Sequence, residues 1–109
     1  PEQLGNAGSF FKNPVVDNDF FHKLKEKYPD IVAYEAEHGI KLAAGWLIER
    51  CGWKGERFGD AGVHEKQALV LVNYGTATGA EIVSLAGQIQ EDVFRTFGVR
   101  IEPEVNIIY

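Results

Sequence analysis

The sequence predicts an α+β fold, a small mixed sheet with about three helices packed on it. Three observations carry that expectation. Three stretches place apolar residues at helical spacing between recognisable starts and stops. Other stretches read as strands, by a continuous apolar run or by strict alternation. The order of these elements lacks the strict strand–helix–strand alternation of a doubly wound parallel sheet.

The first strand is read over Ser9 to Asn13, where two aromatics precede Pro14. Aromatic residues favour a pleated, half-buried surface. Pro14 biases Asn13 towards an extended backbone. Alternation then sends Ser9, Phe11 and Asn13 to one face and Phe10 and Lys12 to the other. Asp17 and Asn18 are N-cap candidates for a helix over Asp19 to Tyr28. Phe21, Leu24 and Tyr28 form its apolar stripe, and Pro29 ends it.

Residues 31–41 read as a loop with short extended pieces at its ends. A second helix is predicted over Leu42 to Cys51, with Ala44, Leu47, Ile48 and Cys51 on one stripe and Gly52 as its stop. Trp53-Lys54-Gly55 and Gly59-Asp60-Ala61-Gly62 are turn-rich, with a short strand at Arg57-Phe58 between them. Ala68 to Asn73 is an apolar run of strand length and reads as a central strand. Thr78 and Glu81 form a capping box. The helix they open carries Ile82, Leu85, Ala86, Ile89, Val93 and Phe97 on one stripe and stops at Gly98. Residues 99–108 alternate as a last strand, interrupted at Pro103, which marks an edge or a bulge.

A chain of 109 residues, 45% of them hydrophobic and including seven Phe and two Trp, suits one domain with a real core. The formal net charge is −5 and no basic cluster is present, which argues against nucleic acid as the main partner. One or two well-placed lysines are still enough for a phosphate. Cys51 is the only cysteine, so no internal disulfide forms and a reducing, cytoplasmic compartment is expected. No apolar run reaches the ~18 residues of a membrane-spanning helix, so no membrane partner is expected. The opening Pro-Glu-Gln-Leu-Gly has no signal-peptide character and no starting Met, and the chain reads as part of something longer.

Chemistry is only weakly marked by spacing. Ser9 is a nucleophile, an acid or a plain polar strand residue, and spacing alone favours the last. It lacks the Gly-x-Ser-x-Gly elbow, and no base is marked beside it. His22, His38 and His64 share no metal-ligand spacing with one another or with Cys51, so no metal is expected. The glycines from Gly52 to Gly62 form neither a dinucleotide fingerprint nor a P-loop. Lys54 is an exposed loop lysine or a phosphate contact. Glu104 is a plain strand carboxylate unless the first and last segments approach, in which case it shares a pocket with Ser9.

Three segments taken together say more. Gly5-Asn-Ala-Gly-Ser9-Phe-Phe-Lys-Asn13-Pro14 is one. Leu42-Ala-Ala-Gly-Trp-Leu-Ile48 with Trp53-Lys54-Gly55 is the second. Leu69-Val-Leu-Val-Asn73 with Ile101-Glu-Pro-Glu104-Val is the third. In this order and with these gaps they closely resemble the C-terminal, substrate-binding domain of the UDP-N-acetylenolpyruvoylglucosamine reductase (MurB) family. The resemblance runs from Gly5 to Ile108, and implies that residues 1–109 are a single substrate-binding domain.

The resemblance implies a flavoenzyme of peptidoglycan precursor synthesis. FAD and NADPH would be its cofactors in the full-length enzyme, with the enolpyruvyl ether of a UDP-sugar as its substrate. It implies Ser9 as the donor of the proton to carbon C2 and Glu104 as the group that steadies or helps protonate the enol-like intermediate. An Arg from the flavin-binding part completes the family's set. Asn13, Tyr34 and Lys54 match positions that contact the UDP-sugar, mostly its diphosphate, and Gln67 matches a further substrate contact. The long stretch between Pro14 and Ala44, carrying Tyr34, is similar to the longer family type, in which a tyrosine-bearing loop closes over substrate. The FAD-binding domains would be partners within one full-length chain. Without them the domain is expected neither to hold flavin nor to turn over. The alternative of a different class is a non-catalytic nucleotide-sugar binding or regulatory domain with the same fold.

Overall fold

The computed structural model describes residues 10–68 and 70–103. Within them the chain runs β1 (Val15–Val16), α1 (Asn18–Lys27), β2 (Ala33–Ala36), β3 (Gly39–Leu42), α2 (Ala44–Arg50), β4 (Arg57–Phe58), β5 (Ala61–Val63), β6 (Leu71–Asn73) and α3 (Gly79–Phe97). The class is α+β with three helices, as the sequence predicts. The strands divide between two antiparallel three-stranded sheets, ordered β1-β3-β2 and β4-β5-β6.

α1 and α3 begin where the local sequence supplies an acceptor. The Asp17 carboxylate accepts the Phe20 N–H at 2.7 Å and starts α1. At α3 the Thr78 hydroxyl takes the Glu81 N–H, and the Glu81 carboxylate takes the Thr78 N–H. That helix ends at Gly98, whose φ of +73° is the left-handed conformation that glycine adopts without strain. The predicted stripe is the buried one: Leu85, Ala86, Ile89, Val93 and Phe97 face the core.

Residues 33–42, expected as loop and helix start, are a β-hairpin. Its register pairs Tyr34 with Lys41 and Ala36 with Gly39. Leu42, expected to open α2, is instead the fully buried last residue of β3. β3 is central, paired on one side with β2 and on the other with β1. The two sets of ladder bonds keep it extended until Ala43, and α2 begins only after that.

In the second sheet, Arg57–Phe58 is the predicted short strand. Ala61 and Gly62, expected in a turn, instead join Val63 in β5, and all three residues are buried. The turn proper is Gly59-Asp60, a two-residue hairpin loop with Gly59 at φ +63° in its first position. The expected strand over 68–73 pairs only from Leu71, because Val70 N–H closes a turn onto the Gln67 carbonyl at 3.0 Å.

One core joins both sheets and all three helices. Phe11, Leu42, Leu47, Ile48, Val63, Ile89, Val93 and Ile101 are its largest fully buried side chains. Burying the Phe11 ring alone stabilises the fold by about 1.5–3 kcal/mol. A wedge of Tyr28, Trp46 and Phe97 ties one residue from each helical region, with ring centroids 4.9–6.2 Å apart. Arg50 lies over the Tyr28 and Trp46 rings.

Candidate functional site

The first and last described segments meet. Phe11 pairs with Pro103 in an antiparallel bridge. The Lys12 N–H donates to the Glu102 carbonyl at 2.8 Å. Of the strand expected over Ser9 to Asn13, Ser9 lies outside the described residues, Phe11 forms this bridge, and β1 follows beyond Pro14. Phe11 also points into the core rather than towards a site. The last segment keeps its alternation in burial: Val99 and Ile101 are buried, while Arg100 and Glu102 are exposed. Ser9 and Glu104, the two expected catalytic residues, lie outside the described residues.

Asn13 leaves the bridge for the start of α2. Its side-chain oxygen accepts the Ala44 N–H at 2.9 Å. The helix's own N-cap residue, Ala43, offers no side-chain acceptor, so Asn13 supplies one from outside. A cavity of about 290 Å³ opens beside it, lined by Lys12, Asn13, Pro14, Val15, Arg100 and Glu102.

Tyr34 lies on β2 of the first sheet. Val15, Lys41 and Tyr34 stand opposite one another across β1, β3 and β2, so they share one face. All three are exposed there. A phenol and an ammonium side by side on an open face suit an anion. Lys41 had no role in the sequence reading. Its position opposite Tyr34 became legible only once the hairpin register was known.

Lys54 lies between α2 and β4, and Gln67 between β5 and β6. An added Cβ at Gly55 would lie 3.8 Å from the Glu65 Cα, so the Lys54-Gly55 turn passes beside the turn that carries Gln67. Both side chains are exposed. Lys54 Nζ is 3.0 Å from Glu49 Oε2. The four described candidates thus lie on different elements: Asn13 at the start of α2, Tyr34 on β2 of the first sheet, Lys54 on the turn between α2 and β4, and Gln67 between β5 and β6.

A second polar cluster, around Asp60, serves structure. Asp60 accepts the Thr76 hydroxyl at 2.6 Å, the Thr76 N–H at 2.9 Å and the Arg57 guanidinium at 3.1 Å. The Thr76 hydroxyl and N–H, with Arg57, hold its carboxyl below its ordinary pKa. Cys51 is half-buried, and burial pushes its thiol pKa up, which makes it a poor nucleophile. No group of three or more His, Cys, Asp or Glu side chains among the described residues is placed to hold a metal. The starts of α1, α2 and α3 are each closed by an acceptor from the chain itself, Asp17, Asn13 and Thr78. No helix of the described residues is long and apolar enough to cross a membrane.

The fold and these surfaces define a small α+β domain that offers polar side chains from turns and sheet faces. Residues 1–108 match the family described as UDP-N-acetylenolpyruvoylglucosamine reductase, C-terminal domain. The chain belongs to that family. Among curated relatives it is 56% identical to the UDP-N-acetylenolpyruvoylglucosamine reductase of Flavobacterium johnsoniae, over 99% of this chain and 32% of that protein. It is 59% identical to the reductase of Pseudomonas putida, over 98% of this chain and 32% of the relative. Against that of Paraburkholderia xenovorans it is 61% identical, over 95% of this chain and 30% of the relative. The chain thus spans about a third of the length of the relatives it matches.

Proposed function

We propose that this chain is the substrate-binding domain of a cytoplasmic UDP-N-acetylenolpyruvoylglucosamine reductase acting in peptidoglycan precursor synthesis. The observation that carries the reading is the family match over residues 1–108, joined to identities of 56–61% along nearly the whole chain. The reaction reduces the enolpyruvyl ether of a UDP-sugar to its lactyl ether. FAD reduced by NADPH, held by the rest of a full-length protein, supplies the hydride to carbon C3.

What this chain contributes is substrate binding and a proton. Lys54 meets the diphosphate with its charge, and Tyr34 and Asn13 add hydrogen bonds. Asn13 does so through its amide N–H₂, since its oxygen is engaged at Ala44. Gln67 contributes a further contact. The Ser9 hydroxyl gives its proton to carbon C2. A neutral hydroxyl suffices because the enol-like intermediate is strongly basic. Glu104 steadies that intermediate, beside an Arg from outside this chain. Support for pairing these two residues comes from their sequence neighbours. Ser9 precedes Phe11 by two positions and Glu104 directly follows Pro103, and Phe11 and Pro103 are bridged.

The test is Ser9→Ala in the full-length protein. NADPH should still reduce the bound flavin at the normal rate, while reduction of the enolpyruvyl substrate stops. Normal turnover in that variant overturns the assignment.

A further inference from the structure

Trp53, Lys54, Gly55 and Glu56 form a tight turn. The Glu56 N–H donates to the Trp53 carbonyl at 2.9 Å, and Gly55 has φ +83° in the third position. That is the type II arrangement, which requires glycine there. Lys54 occupies the second position, so the turn fixes its backbone. The turn is in turn held to the body of the protein by Trp53. The indole Nε1–H donates to Asp92 Oδ2 at 2.9 Å, and the ring packs on Phe58 at 5.8 Å. Both Trp53 and Asp92 are partly buried. Asp92 stands on α3 between Ile89 and Val93, two fully buried core residues. The turn is therefore anchored to the longest helix, beside the buried Val93.

We infer that Asp92 is a positioning residue for substrate binding: through the Trp53 indole it fixes the turn that presents Lys54 to the substrate's diphosphate. The inference rests on the proposed role of Lys54. A lysine is a point charge on a flexible four-carbon stem, and ordering it costs binding free energy. A fixed backbone leaves only the side chain to be ordered when the phosphates arrive. The carboxylate suits the task because it accepts a short bond from an indole, a donor with no other use in the turn. Its other oxygen, Oδ1, lies 3.6 Å from Arg95 Nη1, which restrains the carboxylate itself.

The experiment is a double-mutant cycle in the full-length protein, read as KM for the enolpyruvyl UDP-sugar and as Kd for UDP by calorimetry. Asp92→Ala should raise both by roughly five- to tenfold, the size of one lost positioning hydrogen bond, with kcat unchanged. Lys54→Ala should raise both as well, and the double variant should be no worse than Lys54→Ala alone. Asp92→Asn, which keeps a carbonyl acceptor, should restore wild-type values. Trp53→Phe, which keeps the ring and loses the N–H, should reproduce Asp92→Ala and replaces it if that variant fails to fold. If Lys54→Ala raises KM and Kd but Asp92→Ala and Trp53→Phe do not, or if the effects add in full, the positioning role is overturned and the reading of Lys54 stands. If Lys54→Ala changes neither value, the reading of Lys54 fails and the positioning role falls with it.

Discussion

The side-chain oxygen of Asn13 accepts the backbone N–H of Ala44 at 2.9 Å, across 31 positions of sequence. One residue thus closes the start of α2 and stands beside the Lys12–Arg100 cavity. The two jobs use different atoms, so substitutions separate them. Asn13→Ala removes both and should lower stability by about 1 kcal/mol, as loss of a helix cap does. Asn13→Asp keeps an acceptor for Ala44, and a negative charge is favourable at a helix start. Its stability should match wild type. The same carboxylate has no N–H to offer and repels a diphosphate, so KM for the UDP-sugar should rise at least about tenfold in the full-length protein. Urea unfolding and steady-state kinetics check the two halves separately. An Asp variant with normal KM would leave Asn13 with the cap alone.

Lys54 and Glu49 form an ion pair at 3.0 Å, with 35% of the lysine side chain and 56% of the glutamate side chain exposed. Exposed pairs of this kind contribute only about 0–1 kcal/mol. A diphosphate outcompetes a single carboxylate for the ammonium, yet the pair must break first. Glu49→Gln removes that competitor. KM for the UDP-sugar should fall by roughly two- to threefold, with stability unchanged to within about 0.5 kcal/mol. The gain should shrink as salt is raised, because salt screens the pair in the wild type. A higher KM in the variant would mean that Glu49 orients Lys54 instead of competing for it.

How much of this was legible beforehand differs by element. α1 and α3 were, because their starts and stops are local chemistry: Asp17 on Phe20, the Thr78–Glu81 box, and Gly98 in the left-handed conformation. The β2–β3 hairpin was not. Its strands carry mixed burial and charged residues such as Glu35 and Lys41, so no clean alternation marks them. What makes them strands is their pairing with each other and with β1, which is long-range. β5 was hidden for the opposite reason. It is buried on both faces and contains Gly62, whose space is filled by Glu56 and Tyr74, so it reads locally as turn. Of the candidate site, the approach of the first and last segments was anticipated in the sequence as a condition. The Phe11–Pro103 bridge, the engagement of Asn13 at Ala44 and the Asp92 anchor under Lys54 join residues far apart in sequence. No spacing encodes them.

Gly39 gives a test of that long-range pairing. It has φ +150°, a backbone conformation that side chains rarely adopt, and it begins β3 beside β1. A Cβ there would run into the Val16 carbonyl oxygen and lie 3.2 Å from a Val15 methyl. Both neighbours belong to β1, which follows Asn13-Pro14 directly, so the clash would push β1 off β3. Gly39→Ala should therefore cost about 2 kcal/mol or more, combining strain with lost pairing. The Leu42 N–H, which donates to the Pro14 carbonyl at 2.8 Å, should exchange with solvent much faster. Because β3 also carries Lys41 opposite Tyr34, KM for the UDP-sugar should rise in the same variant. Gly87→Ala is the matched control. It lies within α3, its Cβ would meet nothing within 4 Å, and it should stabilise by about 0.5–1 kcal/mol while leaving Leu42 exchange unchanged. Slow Leu42 exchange in Gly39→Ala would show that β1 tolerates the extra methyl, and that the first sheet does not depend on the glycine.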